Sequence, residues 1–280
     1  MTGGQLITGL LGAFTGFVTA RVWIAPMVQN SPPALVRTNF RGLSVPAVLG
    51  LPLAIGGIAG AGIVYLIDRA SALAITTAET VLAVVVIAGV SSLAGYADDR
   101  RGDEPARGFG GHLRAGLAGS ITGGLIKIVG VGLAGVAAGL LTGTGWYVIE
   151  CTALVGLSAN LVNLLDRAPG RAAKVSVLLA VPLLILGADA WAATAAGAIG
   201  ALAACLPSDL KERAMLGDAG ANPLGALLGL GLAMSLDRPV RLGVIALLLV
   251  VNLVSERWSF SRGIERVGWL RSLDSWGRQN

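Results

Sequence analysis

Long apolar stretches that carry few charges dominate this chain and constrain its fold more than any other feature. Only 13% of its residues are charged, whereas soluble domains have roughly 25%. A membrane-spanning helix needs about 20 mostly apolar residues, and helices satisfy their own backbone groups in lipid. The sequence therefore predicts an all-α integral membrane protein with about nine transmembrane helices. These lie at residues 4–26, 44–67, 79–97, 115–140, 146–163, 173–188, 190–207, 221–236 and 241–256.

The distribution of Lys and Arg predicts the orientation of these helices. Of the 21 Lys and Arg residues, sixteen fall in loops on one side and only Arg69, Arg238 and Arg241 on the other. Loops rich in positive charge remain in the cytoplasm. We therefore expect an N-terminus outside, a cytoplasmic C-terminus and a plasma-membrane location. The longer polar loops share the cytoplasmic side, so we expect any chemistry on that face. The net charge of +5 then reflects topology and predicts no nucleic-acid partner.

The sequence divides into a membrane domain at 1–256 and a cytoplasmic tail at 257–280. The first apolar run lacks the basic start of a signal peptide, so we expect it to be an uncleaved span. Apolar residues recur in the tail at three- and four-residue steps, with arginines between them. That pattern is typical of an amphipathic helix lying on the membrane, and it suits equally a segment that covers the protein's own loops.

Glycine is frequent inside the predicted spans, as in Gly12-x-x-x-Gly16 and Gly135-x-x-x-Gly139. Small residues allow membrane helices to approach closely, so these pairs predict helix–helix contacts. The sequence leaves open whether the protein forms a homodimer.

Two adjacent acids, Asp98 and Asp99, end the third predicted span. Like charges repel each other, and the C-terminal end of a helix disfavours acids. Something cationic must offset this arrangement. The sequence offers a metal ion or the neighbouring Arg100 and Arg101.

Two amides and an acid follow at three-residue spacing in Asn160-x-x-Asn163-x-x-Asp166. Residues at this spacing share one helix face. Polar groups near the membrane boundary tend to face a cavity. The alternative is that they hydrogen-bond to a neighbouring helix.

The segment Gly217-Asp218-Ala219-Gly220 precedes Asn222 and Pro223, which suit the start of a helix. A helix N-terminus attracts phosphate, and a carboxylate beside it is the kind of oxygen ligand that Mg²⁺ takes. The alternative is a simple helix cap.

Basic and polar residues accompany these acids. Lys127 lies well inside the fourth predicted span, where it must reach the membrane surface or pair with an acid of the site. Acids, a divalent ion and basic groups at one membrane edge are typical of phosphoryl transfer. The other members of this set are Arg37, Asn39, Arg41, Arg107, His112 and Arg114.

In this order, the acidic and amide motifs resemble those of the polyprenyl-phosphate N-acetylhexosamine-1-phosphate transferases. That superfamily includes phospho-MurNAc-pentapeptide translocase and the UDP-GlcNAc:polyprenyl-phosphate GlcNAc-1-phosphate transferases. Asn39-Phe-Arg41-Gly42-x-x-x-Pro46 is also similar to the family's first cytoplasmic loop. The resemblance covers about residues 37–225.

The resemblance implies transfer of a sugar-1-phosphate, HexNAc-1-phosphate above all, from a UDP-sugar to polyprenyl (undecaprenyl) phosphate. UMP is released, and the product serves cell-envelope glycan synthesis. The implied cofactor is Mg²⁺, with Mn²⁺ as the alternative. The implied partners are the UDP-sugar, the polyprenyl phosphate and membrane lipid.

The resemblance also implies roles for single residues. Asp98, Asp99 and Asp218 would be catalytic. Asp218 and Asp99 would bind the metal, while Asp98 would orient or deprotonate the lipid phosphate. Asn163 and Asp166 would meet the nucleotide or its diphosphate. The complete substrate-binding set is Asn39, Arg41, Arg107, His112, Arg114, Asn160, Asn163 and Asp166.

Two departures from the family keep alternatives open. The family's third loop has a second acid where this chain has Pro169, and the loop before the tail lacks a histidine cluster. The missing histidines favour a simple UDP-HexNAc over the MurNAc-pentapeptide substrate. The missing acid supports the alternative that the protein is a catalytically inactive relative that acts as a scaffold. A secondary transporter is the other alternative, although such proteins place ionisable groups near the midplane.

Overall fold

The computed structural model describes residues 3–102, 111, 114–116 and 118–278, and helices make up most of this part of the chain. The long helices are α1 (Gly3–Gln29), α2 (Gly50–Ser71), α3 (Ala78–Arg101), α4 (Gly123–Thr142), α5 (Trp146–Leu165), α6 (Arg171–Leu186), α7 (Asp189–Leu210), α8 (Asp218–Ser235) and α9 (Arg238–Ser255). The short elements are a 3₁₀ turn (Pro33–Leu35), strands β1 (Val36–Thr38) and β2 (Ser44–Pro46), and helices α10 (Phe260–Arg266) and α11 (Gly268–Ser275).

Seven helices within the described residues are long and apolar enough to cross a membrane, namely α1 to α5, α7 and α9. Large apolar side chains on the outer helices are exposed, among them Phe14, Leu178 and Leu247. Such a surface suits lipid and not water. The expectation of an all-α, multi-pass membrane protein is confirmed. Because α6 has only 16 residues and α8 begins with polar residues, the count of nine spans stays a prediction, as does the orientation.

Two predicted spans begin later in the structure than expected. Residues 44–46 form a strand that pairs antiparallel with 36–38, so α2 starts at Gly50 and not at 44. This hairpin was not predicted from the sequence. Helix α4 starts at Gly123 and not at 115, because the Thr122 hydroxyl accepts a hydrogen bond from the Leu125 N–H and caps the helix there.

Helix α8 lies at the centre of the bundle, and most of its residues are buried. It packs mainly against α5 on one side and α3 on the other. The Trp191 indole of α7 donates a hydrogen bond to the Leu227 carbonyl of α8 at 3.0 Å. Helix α8, which carries Asp218 at its first position, is therefore held by several neighbouring helices.

Glycines join α1, α2 and α7, as the sequence predicts for Gly12 and Gly16. A Cβ atom at Gly16 would overlap the Gly197 carbonyl, and one at Gly200 would overlap the Ala13 carbonyl. Gly135 belongs to the other predicted pair. A Cβ atom added there would lie 3.0 Å from the Thr152 Cα of α5. Backbones thus touch directly at these interfaces, which is how membrane helices gain packing energy.

The tail forms two short helices, α10 and α11, where one amphipathic helix was expected. Its far end covers the loop that precedes α6. Arg171 donates to both carboxylate oxygens of Asp274, at 2.7 and 2.9 Å, and also to the Ser261 hydroxyl. Arg278 pairs with Asp274 at 2.7 Å and donates to the Pro169 carbonyl at 2.9 Å. Trp269 and Trp276 remain exposed, so the tail combines a docked face with an apolar exposed one.

We expect Gly200→Ala to lower the free energy of unfolding by about 1–3 kcal/mol, the usual range for overpacking, because the added Cβ overlaps the Ala13 carbonyl. Gly62→Ala is the matched control, since nothing lies within 4 Å of a Cβ there. It should be neutral or stabilising by roughly 0.5–1 kcal/mol through helix propensity. Thermal unfolding in detergent measures both. Equal losses in the two variants would contradict direct backbone contact at Gly200.

We expect Asp274→Asn to release the tail, because it removes the bidentate partner of the buried Arg171. Burial raises the pKa of Asp274, but hydrogen bonds and charge from Arg171 and Arg278 outweigh this and hold it below the ordinary value. The docked state is therefore favoured above the ordinary carboxyl pKa, and that contribution is lost as pH falls through the lowered one.

Limited proteolysis between pH 7 and 3, with a protease active across that range, measures this release. Cleavage of the wild-type tail should accelerate at the acidic end, whereas Asp274→Asn should be cleaved rapidly throughout. Glu265→Gln changes an exposed acid of the same tail and should behave like the wild type. Slow cleavage of Asp274→Asn at neutral pH would show that this pair does not hold the tail.

Candidate active site

A polar cavity of about 860 Å³ opens at one end of the bundle. It lies among the C-terminal ends of α3, α5 and α7, the N-terminus of α8, the first turns of α4 and the β1–β2 hairpin. Its charged and amide lining residues are Arg37, Asn39, Asp98, Asp99, Lys127, Asn163, Asp166, Arg167, Asp209, Glu212 and Asp218. Residues far apart in the sequence therefore converge here, as the motifs predict.

The Lys127 ammonium group joins two of the acids. Its Nζ lies 3.0 Å from Asp98 Oδ2 and 2.6 Å from Asp218 Oδ2. All three side chains are about four-fifths buried, so solvent screens this pairing only weakly. Of the two alternatives for Lys127, the structure shows the second, pairing with acids of the site.

Asn163 completes this cluster. With its amide assigned by its hydrogen-bond network, Nδ2 donates to Asp218 Oδ1 at 2.7 Å and Oδ1 accepts from Lys127 Nζ at 3.0 Å. Two carboxylates and an amide from α3, α5 and α8 thus meet around one cationic group from α4. We call Asp98, Lys127, Asn163 and Asp218 the central cluster.

Asp99 faces away from Lys127 and caps helix α8. Its two carboxylate oxygens accept the backbone N–H groups of Asp218, at 3.1 Å, and Ala219, at 2.9 Å. The positive N-terminal end of α8 and the Lys127 ammonium therefore offset the charge of the paired acids, in place of Arg100 and Arg101. Arg100 instead lies over the Tyr96 ring at 6.0 Å.

Asp99 can cap α8 because the backbones of α3 and α8 lie in close contact. A Cβ at Gly95 would overlap the Asp218 carbonyl, so only glycine lets α3 approach α8 this closely. Gly217, which precedes α8, has φ +64°, a conformation that side chains disfavour. The glycines around Asp218 thus fix the position of its carboxylate.

Two further acids lie deeper along the cavity. Asp166 follows the last turn of α5, and burial, with Asp209, Asp218 and Asp99 nearby, raises its pKa well above the ordinary value. Asp209 near the end of α7 is buried, and its Oδ2 accepts the Gly170 N–H at 2.9 Å. Sequence reasoning missed Asp209, although an acid at the end of an apolar span is the same signal that singled out Asp98.

The β1–β2 hairpin closes one side of the cavity. Asn39 Oδ1 accepts the N–H groups of Arg41 and Leu43, both at 2.9 Å, which shapes the turn. Its Nδ2 donates to Glu212, and Arg41 Nε lies 3.3 Å from the same carboxylate. Ala47 pairs in parallel with Met215, so the hairpin is also tied to the segment before Asp218. Glu212 is a second cavity residue that the sequence did not single out.

Some expected substrate-binding residues do not reach the cavity wall. Asn160 donates to the Asn252 side chain of α9 at 2.6 Å, because it lies at the edge of the helix face that it shares with Asn163. Its placement fits the helix–helix alternative: Asn160 is not among the residues that line this cavity, and its role in substrate binding stays a prediction. Arg41 contacts Glu212 outside the wall, and Arg114 is exposed and away from it. Arg107 and His112 lie outside the described residues.

The central cluster offers oxygen ligands of the kind that Mg²⁺ prefers. Asp98 and Asp218 contribute carboxylates, and Asn163 contributes an amide oxygen. Within the described residues, no group of three or more Asp, Glu, His or Cys side chains is arranged to hold a metal ion. Mg²⁺ commonly takes only one or two carboxylates from the protein and completes its shell with water and substrate phosphates. The Asp218 carboxylate is of that kind, but Lys127 Nζ lies within 3.0 Å of one oxygen from each of these three side chains, so an ion that takes those oxygens must displace the ammonium group.

Comparison with known proteins gives no relative: no family model matches the chain, and no curated protein matches it.

We expect Lys127→Met to lower the free energy of unfolding by about 3–5 kcal/mol in the presence of a chelator, since it leaves two buried acids without their counter-ion. Adding Asp218→Asn should recover about 1–3 kcal/mol, because the two residues are directly coupled. Detergent unfolding of both single variants and the double variant measures this coupling. Lys211→Met, at an exposed position, is the control. Strictly additive losses would contradict the pairing.

Proposed function

We propose that this protein is a phosphoglycosyltransferase that moves a sugar-1-phosphate from a UDP-sugar to a polyprenyl phosphate and releases UMP. HexNAc-1-phosphate is the proposed group, and cell-envelope glycan synthesis is the proposed process. The observation that carries the proposal is the central cluster, in which Asp98, Asn163 and Asp218 meet around Lys127. These positions are the ones on which the family resemblance rests.

The proposed topology has nine spans, with the N-terminus outside and the cavity at the cytoplasmic face of the plasma membrane. The charge bias of the loops supports this orientation. Helices α6 and α8 are then spans as well, and neighbouring helices surround α8, most of whose residues are buried. The cavity lies at the end of the bundle where a lipid phosphate from the inner leaflet and a soluble nucleotide can both arrive.

The proposed cofactor is Mg²⁺, with Mn²⁺ as the alternative, held by Asp218. When bound, the ion supplies neutralising charge for a diphosphate. Asp99 was expected to bind the metal as well. Its hydrogen bonds to the start of α8 favour a different contribution, since they fix the backbone that carries Asp218.

The residues of the chain can support an in-line transfer. A lipid phosphate oxygen attacks the β-phosphorus of the UDP-sugar, and the bond to the UMP phosphate breaks. Asp98 is placed to orient the attacking phosphate or to take its proton. Lys127, beside both acids, is placed to stabilise negative charge that develops on the phosphate oxygens, and the Asn163 amide donates a hydrogen bond to Asp218 that holds its carboxylate.

The position of Asp209 speaks against the inactive alternative. Pro169 stands where the family has its second loop acid, which motivated the idea of a scaffold. Asp209 contacts the neighbouring Gly170 N–H and brings a carboxylate to this part of the cavity from α7. The acids also gather at one end of the bundle, which favours a transferase over a transporter with a midplane site.

Purified protein incubated with UDP-GlcNAc, undecaprenyl phosphate and Mg²⁺ should release UMP. Asp218→Asn should lower the rate by roughly 100-fold or more, the scale for loss of one electrostatic group at a transition state. Asp237→Asn, an exposed acid between α8 and α9 and away from the cavity, should keep the wild-type rate.

Several UDP-sugars should be screened in the same assay, since the sugar is not fixed by the site. Release of UMP that is equal in the wild type and in Asp218→Asn for every sugar would reject the proposed reaction. Solute flux into liposomes without nucleotide release would favour the transporter instead.

A further inference from the structure

Arg37 lines the cavity, and one donor of its guanidinium group has no partner among the described residues. The residue lies in β1, opposite Val45 of β2. Its Nη1 donates to the carbonyls of Ala34, at 3.0 Å, and Val36, at 2.9 Å, which fixes the plane of the guanidinium group. Its Nη2 is shielded from solvent and has no hydrogen-bond partner in the described chain. A buried donor without a partner costs about 1–3 kcal/mol.

Among the described residues, Arg37 also has no counter-ion, although acids line the cavity. Lys127 pairs with Asp98 and Asp218, and Arg41 pairs with Glu212. No carboxylate among residues 3–102 or the later described segments lies within 4.0 Å of the Arg37 guanidinium group. A rigid guanidinium that is neither paired nor fully hydrogen-bonded is suited to an oxyanion that arrives from outside.

The position of Arg37 places such an oxyanion near the central cluster. Its Nη2 lies 3.9 Å from where a Cβ would stand on Gly102, the residue that follows α3. Asp98 lies four residues earlier, about one helical turn away along α3. An anion bound by Arg37 would therefore lie at the same end of the cavity as Asp98.

We propose that Arg37 binds a phosphate group of a substrate, as a positioning residue for the transferred group or its acceptor. This inference rests on the proposed function. Two substrates could supply this phosphate group: the UDP-sugar through its diphosphate, and the polyprenyl carrier through its phosphate. Both carry oxygens that match the two-pronged donor geometry of arginine.

Three variants test the role of Arg37. Arg37→Gln removes the charge, Arg37→Lys keeps the charge but loses the planar donor geometry, and Arg262→Gln removes an exposed charge of the tail as a control. UMP release is measured while each substrate is varied in turn. The KM of the substrate whose phosphate Arg37 binds should rise at least tenfold in Arg37→Gln and less in Arg37→Lys. Arg262→Gln should leave both KM values unchanged.

The KM pattern separates a binding role from a structural one. A rise confined to the UDP-sugar assigns Arg37 to the diphosphate, and a rise confined to the lipid assigns it to the carrier phosphate. Arg37 also joins β1 to the 3₁₀ turn, so unfolding midpoints are recorded for each variant. Unchanged KM values for both substrates, or equal defects in Arg37→Lys and Arg37→Gln that follow the loss of stability, would overturn the inference.

A binding measurement keeps this inference separate from the proposed reaction. Thermal shifts are recorded with Mg²⁺–UDP and, in parallel, with vesicles that contain undecaprenyl phosphate. A shift that appears in the wild type and in Arg262→Gln, but is lost in Arg37→Gln, supports the phosphate site even if no UMP is released. If neither ligand gives a shift that depends on Arg37, the site is rejected whatever the outcome of the turnover assay.

Discussion

The ammonium group of Lys127, held between Asp98 and Asp218, is the interaction on which the arrangement of this site depends. Two carboxylates from different helices repel each other when they are buried, and the repulsion is strongest where water is excluded. A cation from a third helix removes that conflict and joins α3, α4 and α8 at their polar ends. Asp99 adds a second link from α3 to α8 through the first N–H groups of α8.

Much of the helical architecture could be predicted from the sequence because the membrane imposes it. A chain in lipid must form helices of about 20 residues, so hydropathy alone places most of them. Two helices begin later than hydropathy predicts, because local hydrogen bonding that hydropathy does not measure sets their first residues. The strand pairing of 44–46 shortened one predicted span, and the Thr122 cap shortened another. The tail likewise breaks into two helices, which the three- and four-residue spacing of its apolar residues does not predict.

The candidate site was predictable in part, for a different reason. Acids and amides at the ends of apolar spans are costly, so Asp98, Asn163 and Asp218 stood out before their positions were known. Which side of a helix each residue faces could not be derived from spacing. Asn160 shares a wide face with Asn163 yet contacts α9. Asp209 and Glu212 were overlooked because their neighbours form no motif, and only the fold brings Asp209 to Gly170 and Glu212 to the hairpin.

The glycine contacts among α1, α2 and α7 differ in kind from the ion pairs around the cavity. Where two backbones touch, there are no rotamers to rearrange, so those three helices can move relative to one another only as rigid rods. At the polar end, the Lys127 ion pairs join α4 to α3 and α8 through long side chains, whereas Gly95 brings α3 into direct backbone contact with α8. Rearrangement at that end is therefore a matter of the Lys127 side chain changing partners while the backbones that carry the acids stay in place.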